Sequence, residues 1–180
     1  MDKLHGRISG ANYFTKFDLK AGFYLLGIAL AHEKFAAYRT TFGLYEYMIM
    51  QLRLTKAEAT FQCEINRILR PLLWIKLVIK WDIHIDDNDS LVVVAYIGDI
   101  LQATKRFIEK HRRQVGKLFD LLLENKMYVE INTGVYKCKK TAMLGFIISG
   151  ELIKMYLGKR QDILNWLRPK DRKVTQQILG

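Results

Sequence analysis

The sequence predicts an α+β fold, a mostly antiparallel sheet with helices packed on one face, on three observations. Residues 75–85, IKLVIKWDIHI, put an apolar side chain at every second position, the period of a strand. From Thr55, and again from Phe107, the apolar residues recur at helical spacing instead. Taken in chain order, the elements read β, ββ, α, βββ, α, ββ, α, a grouping that belongs to the α+β class.

Each element has its own signal. YFTKFDL (13–19) is rich in β-formers and closes on Asp18 and Leu19. GFYLLGIAL (22–30) is apolar and reads as a short turn followed by a strand. Residues 34–50 read as two strands with a turn near Gly43. Ala57, Phe61, Ile65, Ile68, Leu69 and Leu72 form one helical stripe, with Pro71 near its end. The alternating run 75–85 is followed by a polar turn, DDNDS (86–90), and by LVVVAYI (91–97), as dense in Val as a strand buried on both faces. Gly98-Asp99 then reads as a hairpin turn, with glycine first as a type II′ turn requires, leading into ILQAT. A second helix over 107–126 carries Ile108, His111, Val115, Leu118, Phe119 and Leu122 on one stripe. Short strands near 127–131 and 143–148 and a helix at about 159–167 complete the order.

Bulk properties narrow the class. The chain has 180 residues, half of them hydrophobic and 26% charged, which suits one domain with a real core. No apolar run reaches the length of a membrane span, and the N-terminus lacks an apolar signal region. Cys63 and Cys138 therefore read as free thiols in a reducing compartment, with cytoplasm or nucleus the expected location and no membrane partner. Lys and Arg total 29 against 18 Asp and Glu, a net charge of +11 that favours polyanionic partners, nucleic acid first. Along the sequence the basic residues look dispersed, so charge alone is also consistent with a merely basic protein.

Asp18 closes a strand and Asp99 lies on a hairpin. Carboxylates so placed can hold Mg²⁺, a hard cation that prefers oxygen ligands, for phosphoryl transfer between two ions about 3.5–4 Å apart. Strand-end aspartates are common, so spacing alone leaves a plain turn as the simpler reading.

Five blocks in order change that weighting: YFTKFDLKAGFYLLGI (13–28), TTFGLYEYMIM (40–50), LTKAEATFQCEINRILRPLL (54–73), VVVAYIGDILQAT (92–104) and MLGFIISGELIKM (143–155). Together they resemble the reverse transcriptase of gypsy-type LTR retrotransposons, over nearly the whole chain. The resemblance implies a polymerase palm-like sheet with a partial fingers hairpin at about 34–50. It implies addition of deoxynucleotides from their triphosphates to a primer 3′ end on an RNA or DNA template, with two Mg²⁺ ions as cofactor. Asp18 and Asp99 match catalytic, metal-binding aspartates. Leu19, Lys20, Ala21, Gly22 and Phe23 match the stretch that approaches the incoming triphosphate, Phe23 as the aromatic that excludes a ribose 2′-hydroxyl. The competing reading of Phe23 is a core aromatic. Leu144 and Gly145 match the hairpin that grips the primer end, or form a plain structural turn. Other segments of a retroelement polyprotein are the implied protein partners.

The departures from that pattern are as informative. The family's Tyr-x-Asp-Asp stands here as Tyr96-Ile97-Gly98-Asp99, so a metal-binding aspartate is replaced by glycine. Losing one ligand charge beside a dication removes several kcal/mol of stabilisation, on the order of 10³ in rate. Asp86, Asp87 and Asp89 lie at the far end of the strand, roughly 20 Å away at about 3.3 Å per residue, and read as a solvated turn. Gln51, Arg53 and Glu58 replace Pro, Gly and Pro, and Thr133-Gly134 stand in place of a Lys-Cys pair whose lysine could protonate the leaving pyrophosphate. Tyr156-Leu157 stand where the family has Asp-Pro. Residues 1–180 thus read as a single partial domain of fingers and palm, without a thumb, RNase H or integrase segment, and with impaired catalysis. The alternatives are a non-catalytic nucleic-acid-binding module or a relic without activity.

Overall fold

The computed structural model describes residues 2–52, 54–72, 82–85 and 91–158. The expected strand over 75–81, the turn at 86–90 with its three aspartates, Arg53 and the helix near 159–167 lie outside the described residues.

Within them the order is α1 (Asp2–Ile8), β1 (Tyr13–Leu19), β2 (Ala37–Thr40), β3 (Gly43–Glu46), α2 (Ala57–Leu69), β4 (Asp82–Ile85), β5 (Leu91–Tyr96), β6 (Asp99–Thr104), α3 (Ile108–Glu124), β7 (Val129–Cys138), β8 (Lys140–Met143), β9 (Phe146–Ser149) and β10 (Ile153–Met155). Strands β4, β5, β6, β1 and β7, in that spatial order, form an antiparallel sheet. Strands β10, β9 and β8 form a second small sheet, and β2 and β3 a separate ribbon.

Strand periodicity sorts the core into two parts. Phe17, Leu19, Val93, Ala95 and Ile100 point to one face and pack against Phe61, Ile65 and Ile68 of α2 and Leu118 and Leu122 of α3. Phe14, Val92, Val94, Leu101 and Ala103 point to the other face. There Ile8, Ala11, Met143 and Ile148 cover them, brought by the end of α1 and by the small sheet. The two long helices thus share one face, as expected, while the opposite face is covered only in part. Near Lys16, Asp18 and Asp99 it stays open.

Three expectations shift. Residues 22–25 form a 3₁₀ turn rather than leading into a strand, and only a bridge between Gly27 and Ile49 follows. Helix α1 carries no apolar stripe that would announce it. The expected strands near 127–131 and 143–148 are instead a ten-residue β7 with register shifts and a β8–β9 hairpin. Cys63 is exposed and Cys138 half-buried, both as free thiols.

The β2–β3 ribbon stands out from the body. All eight of its strand residues are exposed. Tyr38 stacks on Tyr47 at 4.3 Å between ring centroids, and Phe42 at the turn is 91% exposed. Its base is fixed by hydrogen bonds from Ile28 N–H to the Met48 carbonyl and from Met50 N–H to the Leu26 carbonyl.

Candidate active site

The site is built on the ends of β1 and β6. The two strands pair in a register that places Asp18 directly opposite Asp99, on the open face. Lys16, two residues before Asp18 and so on the same face, places its ammonium 2.8 Å from Asp99 Oδ1. Leu19 N–H donates to the Gly98 carbonyl at 3.0 Å, which ties the end of β1 to the hairpin tip.

The tip itself differs from the expected turn by one residue. Tyr96 pairs with Asp99, so the central residues are Ile97 and Gly98, with φ of 41° and 94°. Two positive φ values mark a type I′ turn rather than II′. Asp99 is therefore the first strand residue, which is what sets it opposite Asp18. Ile97 is an uncommon occupant, since a β-branched residue is strained at positive φ. Gln62 of α2 holds it there: its Oε1 accepts from Ile97 N–H at 2.9 Å, and its Nε2 donates to the Ala95 carbonyl at 3.1 Å. Asn66, one helical turn on, accepts a further bond from Gln62 Nε2 at 3.0 Å.

Gly98 has a direct geometric relation to Asp18. A Cβ at position 98 would stand 3.5 Å from Asp18 Oδ1, with nothing else within 4 Å. A side chain there would be aimed at the Asp18 carboxylate. Asp18 reaches solvent, yet partial desolvation, and then the charge of Asp99, hold its carboxyl above the ordinary range. Lys16 and the Leu19 N–H pull in the opposite direction.

Two carboxylates, Asp18 exposed and Asp99 partly covered beside Lys16, suit one Mg²⁺, which keeps most of its waters. No third His, Cys, Asp or Glu joins them as a metal-holding group among the described residues. Glu130 of β7 is in register with Asp18 on its other side, so Asp99, Asp18 and Glu130 form a row across three strands. Its carboxylate, however, accepts from Asn132 Nδ2 at 3.3 Å.

The stretch after β1 is divided between core and surface. Leu19 and Gly22 are buried, while Lys20 and Ala21 are exposed. A Cβ on Gly22 would fall 2.6 Å from the Phe61 ring, so glycine is required by that approach. Ala21 supports the bend with φ of 52°. Phe23 stacks on Phe61 at 4.6 Å and 20°, half-buried, with one side against the core and part of its surface outside. Leu144 and Gly145 form a second turn with positive φ, 52° and 78°, between β8 and β9. The Gly145 carbonyl accepts from Tyr156 N–H at 2.9 Å, and Leu144 packs on the apolar cluster of the open-face side. The aspartates and this second hairpin thus lie on the same side of the large sheet.

No protein-family model matches the chain. Over all 180 residues it is 27% identical to the transposon Tf2-3 polyprotein of Schizosaccharomyces pombe, of which it spans 12%. It is 28% identical to the retrovirus-related Pol polyprotein from transposon 297 of Drosophila melanogaster, of which it spans 15%. Among solved structures, a foamy viral protease-reverse transcriptase in complex with RNA/DNA hybrid superposes with a TM-score of 0.73, at 19% identity, covering 98% of this chain and 22% of that one. A second form in complex with double-stranded DNA gives 0.74, covering 95% and 27%. The chain is thus similar over its whole length to these retrotransposon polyproteins, of which it spans about an eighth, and it shares the fold of the foamy viral reverse transcriptase structures.

Within this reverse transcriptase fold, two residues at the tip escaped the sequence reading. Gln62 left a faint signal, since Gln62 and Asn66 are amides four apart beside the apolar stripe of α2, the spacing of a side-chain hydrogen bond. Glu130 left none, because its place opposite Asp18 depends on register shifts in the β1–β7 pairing.

Proposed function

We propose that the chain is the palm of a reverse transcriptase with part of its fingers, residues 1–180 forming one partial domain and residues 34–50 the fingers hairpin. Catalysis is impaired in this copy by the glycine at position 98. The supporting observation is the tip geometry. Asp18 and Asp99 are register partners on an open face, and a Cβ at residue 98 would stand 3.5 Å from Asp18 Oδ1, where glycine puts no side chain.

In this reading Asp18 and Asp99 hold Mg²⁺, which when bound offsets the charge that develops on the attacking and leaving oxygens of nucleotidyl transfer. Lys16 neutralises part of the carboxylate charge and keeps Asp99 directed toward β1. The exposed residues Lys20 and Ala21 would lie at the approach of a deoxynucleoside triphosphate. Phe23, backed by Phe61, presents a rigid face at the sugar. Leu144 and Gly145 support the primer end from the same side of the sheet. Primer with an RNA or DNA template is the substrate class, and further segments of a polyprotein are the partners.

Primer extension by the purified chain with Mg²⁺ or Mn²⁺ tests this reading. The chain as it stands is expected to give no templated product, and Gly98→Asp to gain activity by on the order of 10³. The variant also introduces about 1–3 kcal/mol of strain at a left-handed position, so its melting is recorded in parallel. Clear templated synthesis by the unmodified chain would overturn the claim of impairment. A folded Gly98→Asp chain that remains inactive would show that position 98 is not the principal lesion. The net charge of +11 supports a second reading, a non-catalytic nucleic-acid-binding module, for which affinity for primer–template would fall steeply with salt.

A further inference from the structure

Some of the basic residues that look dispersed in sequence, Arg106, Arg112, Arg113, Lys137 and Lys139, come together towards the end of the large sheet remote from Asp18 and Asp99. Residues 105–140 carry ten Lys and Arg against four Asp and Glu, of which Lys126 and Glu130 lie at the opposite end, where β7 begins beside Leu19. Strand β6 runs from Asp99 to Thr104, so its far end lies roughly 17 Å from the aspartates at about 3.3 Å per residue. Lys105 and Arg106 follow it, and α3 starts at Ile108. Arg112, Arg113 and Lys117 are exposed on the first turns of α3, whose inward side is the buried His111, Gln114 and Leu118.

Strand β7 and the turn after it bring two more cations to the same end. Phe14 pairs with Cys138, so Lys137 and Lys139 flank the start of β1. Lys139 Nζ lies 4.3 Å from the centroid of the Tyr13 ring, which is itself 6.0 Å from His111 of α3. Among the described residues Arg106, Arg112, Arg113, Lys117 and Lys137 form no ion pair.

This arrangement is unfavourable in isolation. Arg113 and Lys117 are like charges at i,i+4, a spacing that repels. Arg112 and Arg113 also oppose the helix dipole, whose positive end is there and which in the first turn is complemented by Glu109 alone. The first N–H groups of α3 have no side-chain cap, because the N-cap residue is Phe107, and its own ring is 66% exposed. A polyanion relieves all three conditions at once. It pairs with the cations, meets the open N–H groups and complements the dipole. An exposed aromatic among cations adds a stacking surface for a base, which favours single-stranded nucleic acid over other polyanions.

We propose that the outward face of α3, with Arg106, Phe107, Lys137 and Lys139, is a second nucleic-acid-binding surface that takes single-stranded RNA or DNA independently of the aspartate tip. It requires no catalysis, so its success or failure is separable from that of the polymerase reading.

The test is fluorescence anisotropy with a labelled single-stranded 20-nucleotide RNA, titrated with the full chain at several KCl concentrations. Reversing Arg112→Glu, Arg113→Glu and Lys117→Glu together is expected to weaken binding at least tenfold at 100 mM salt. It should also reduce the slope of log affinity against log salt by about two, at about 0.7 per phosphate contact. Phe107→Ala, which leaves the charge intact, should weaken RNA binding several-fold without changing affinity for heparin. Melting curves establish that each variant is folded, and Lys154→Glu, on β10, serves as a charge control expected to change little. Unchanged affinity and slope in the folded triple variant would overturn the proposal. Equal loss of heparin and RNA binding in Phe107→Ala, or no loss of either, would overturn the assignment to nucleic acid.

Discussion

Thr15 and Lys16 are consecutive residues of β1 that meet opposite environments, and the two faces of the large sheet differ in the same way. On the helix side the polar groups are buried. Thr15 Oγ1 lies 2.7 Å from His111 Nε2, His111 Nδ1 lies 2.9 Å from Thr104 Oγ1, and Thr104 donates to Gln114 Oε1 at 3.1 Å. Thr104 gives its hydroxyl proton to Gln114 and so accepts from His111 Nδ1–H, while Thr15 Oγ1, which accepts from Lys137 N–H, donates to Nε2. The network therefore assigns the proton of a neutral imidazole to Nδ1. On the open side, Lys16, Asp18 and Asp99 reach solvent. The sealed face fixes the register of β1 and β6 through uncharged bonds, and the open face uses that register to set two carboxylates side by side. Stability and chemistry are thus assigned to alternate residues of the same strands.

Breaking the sealed face should have the largest effect. Phe61 is fully buried, backs Phe23 and closes against Gly22, so Phe61→Ala should lower unfolding free energy by about 3–5 kcal/mol in urea titration. Acid should act next. Burial, and then the charge of Lys137, lower the His111 pKa to about 4. Between about pH 6.5 and 4 the unfolded chain then binds more protons than the folded one. The stability present above pH 6.5 is lost as pH falls through that window, about 3 kcal/mol in all, and His111→Gln should flatten the dependence measured by denaturation at fixed pH.

The two neighbours on β1 give the direct comparison. Thr15→Val should cost about 1–3 kcal/mol by leaving His111 Nε2 and Lys137 N–H without their partner. Gln102, also fully buried on the sealed face, has no partner for either side-chain polar atom among the described residues. Gln102→Met should therefore raise the melting midpoint, by the equivalent of about 1 kcal/mol. Lys16→Met should change stability by less than about 1 kcal/mol, because a partly exposed ion pair contributes little. A cost for Lys16→Met equal to that of Thr15→Val would erase the distinction between the faces.

The legible parts of the sequence were those with a strong period. The apolar stripes of α2 and α3 and the Val-rich β5 each dictate one conformation, and the adjacency of Asp18 and Asp99 followed from the family blocks. The frame of the β5–β6 turn was not legible. Gly98 fits either II′ or I′, and what selects I′ is Gln62, 35 residues earlier, bonded to Ile97 N–H. The length of β7 was hidden because residues 132–137 do not alternate and the strand bends, with Lys137 at φ 53°. Helix α1 has Gly6 at its middle and depends on tertiary contacts at Ile8 for its place. The basic surface was invisible for the same kind of reason, since its residues come from a strand end, a helix and a distant turn.

The β2–β3 ribbon has a practical consequence. Among the described residues each of its two strands has a neighbour on one side only, so both outer edges carry unpaired backbone groups within a patch where Leu44 is 71% and Met48 75% exposed. Such a ribbon is a template for edge-to-edge pairing with another copy. Handling the chain at high concentration should therefore produce oligomers that grow through residues 37–46, and a lysine at position 42 or 44 is the economical way to keep it monodisperse.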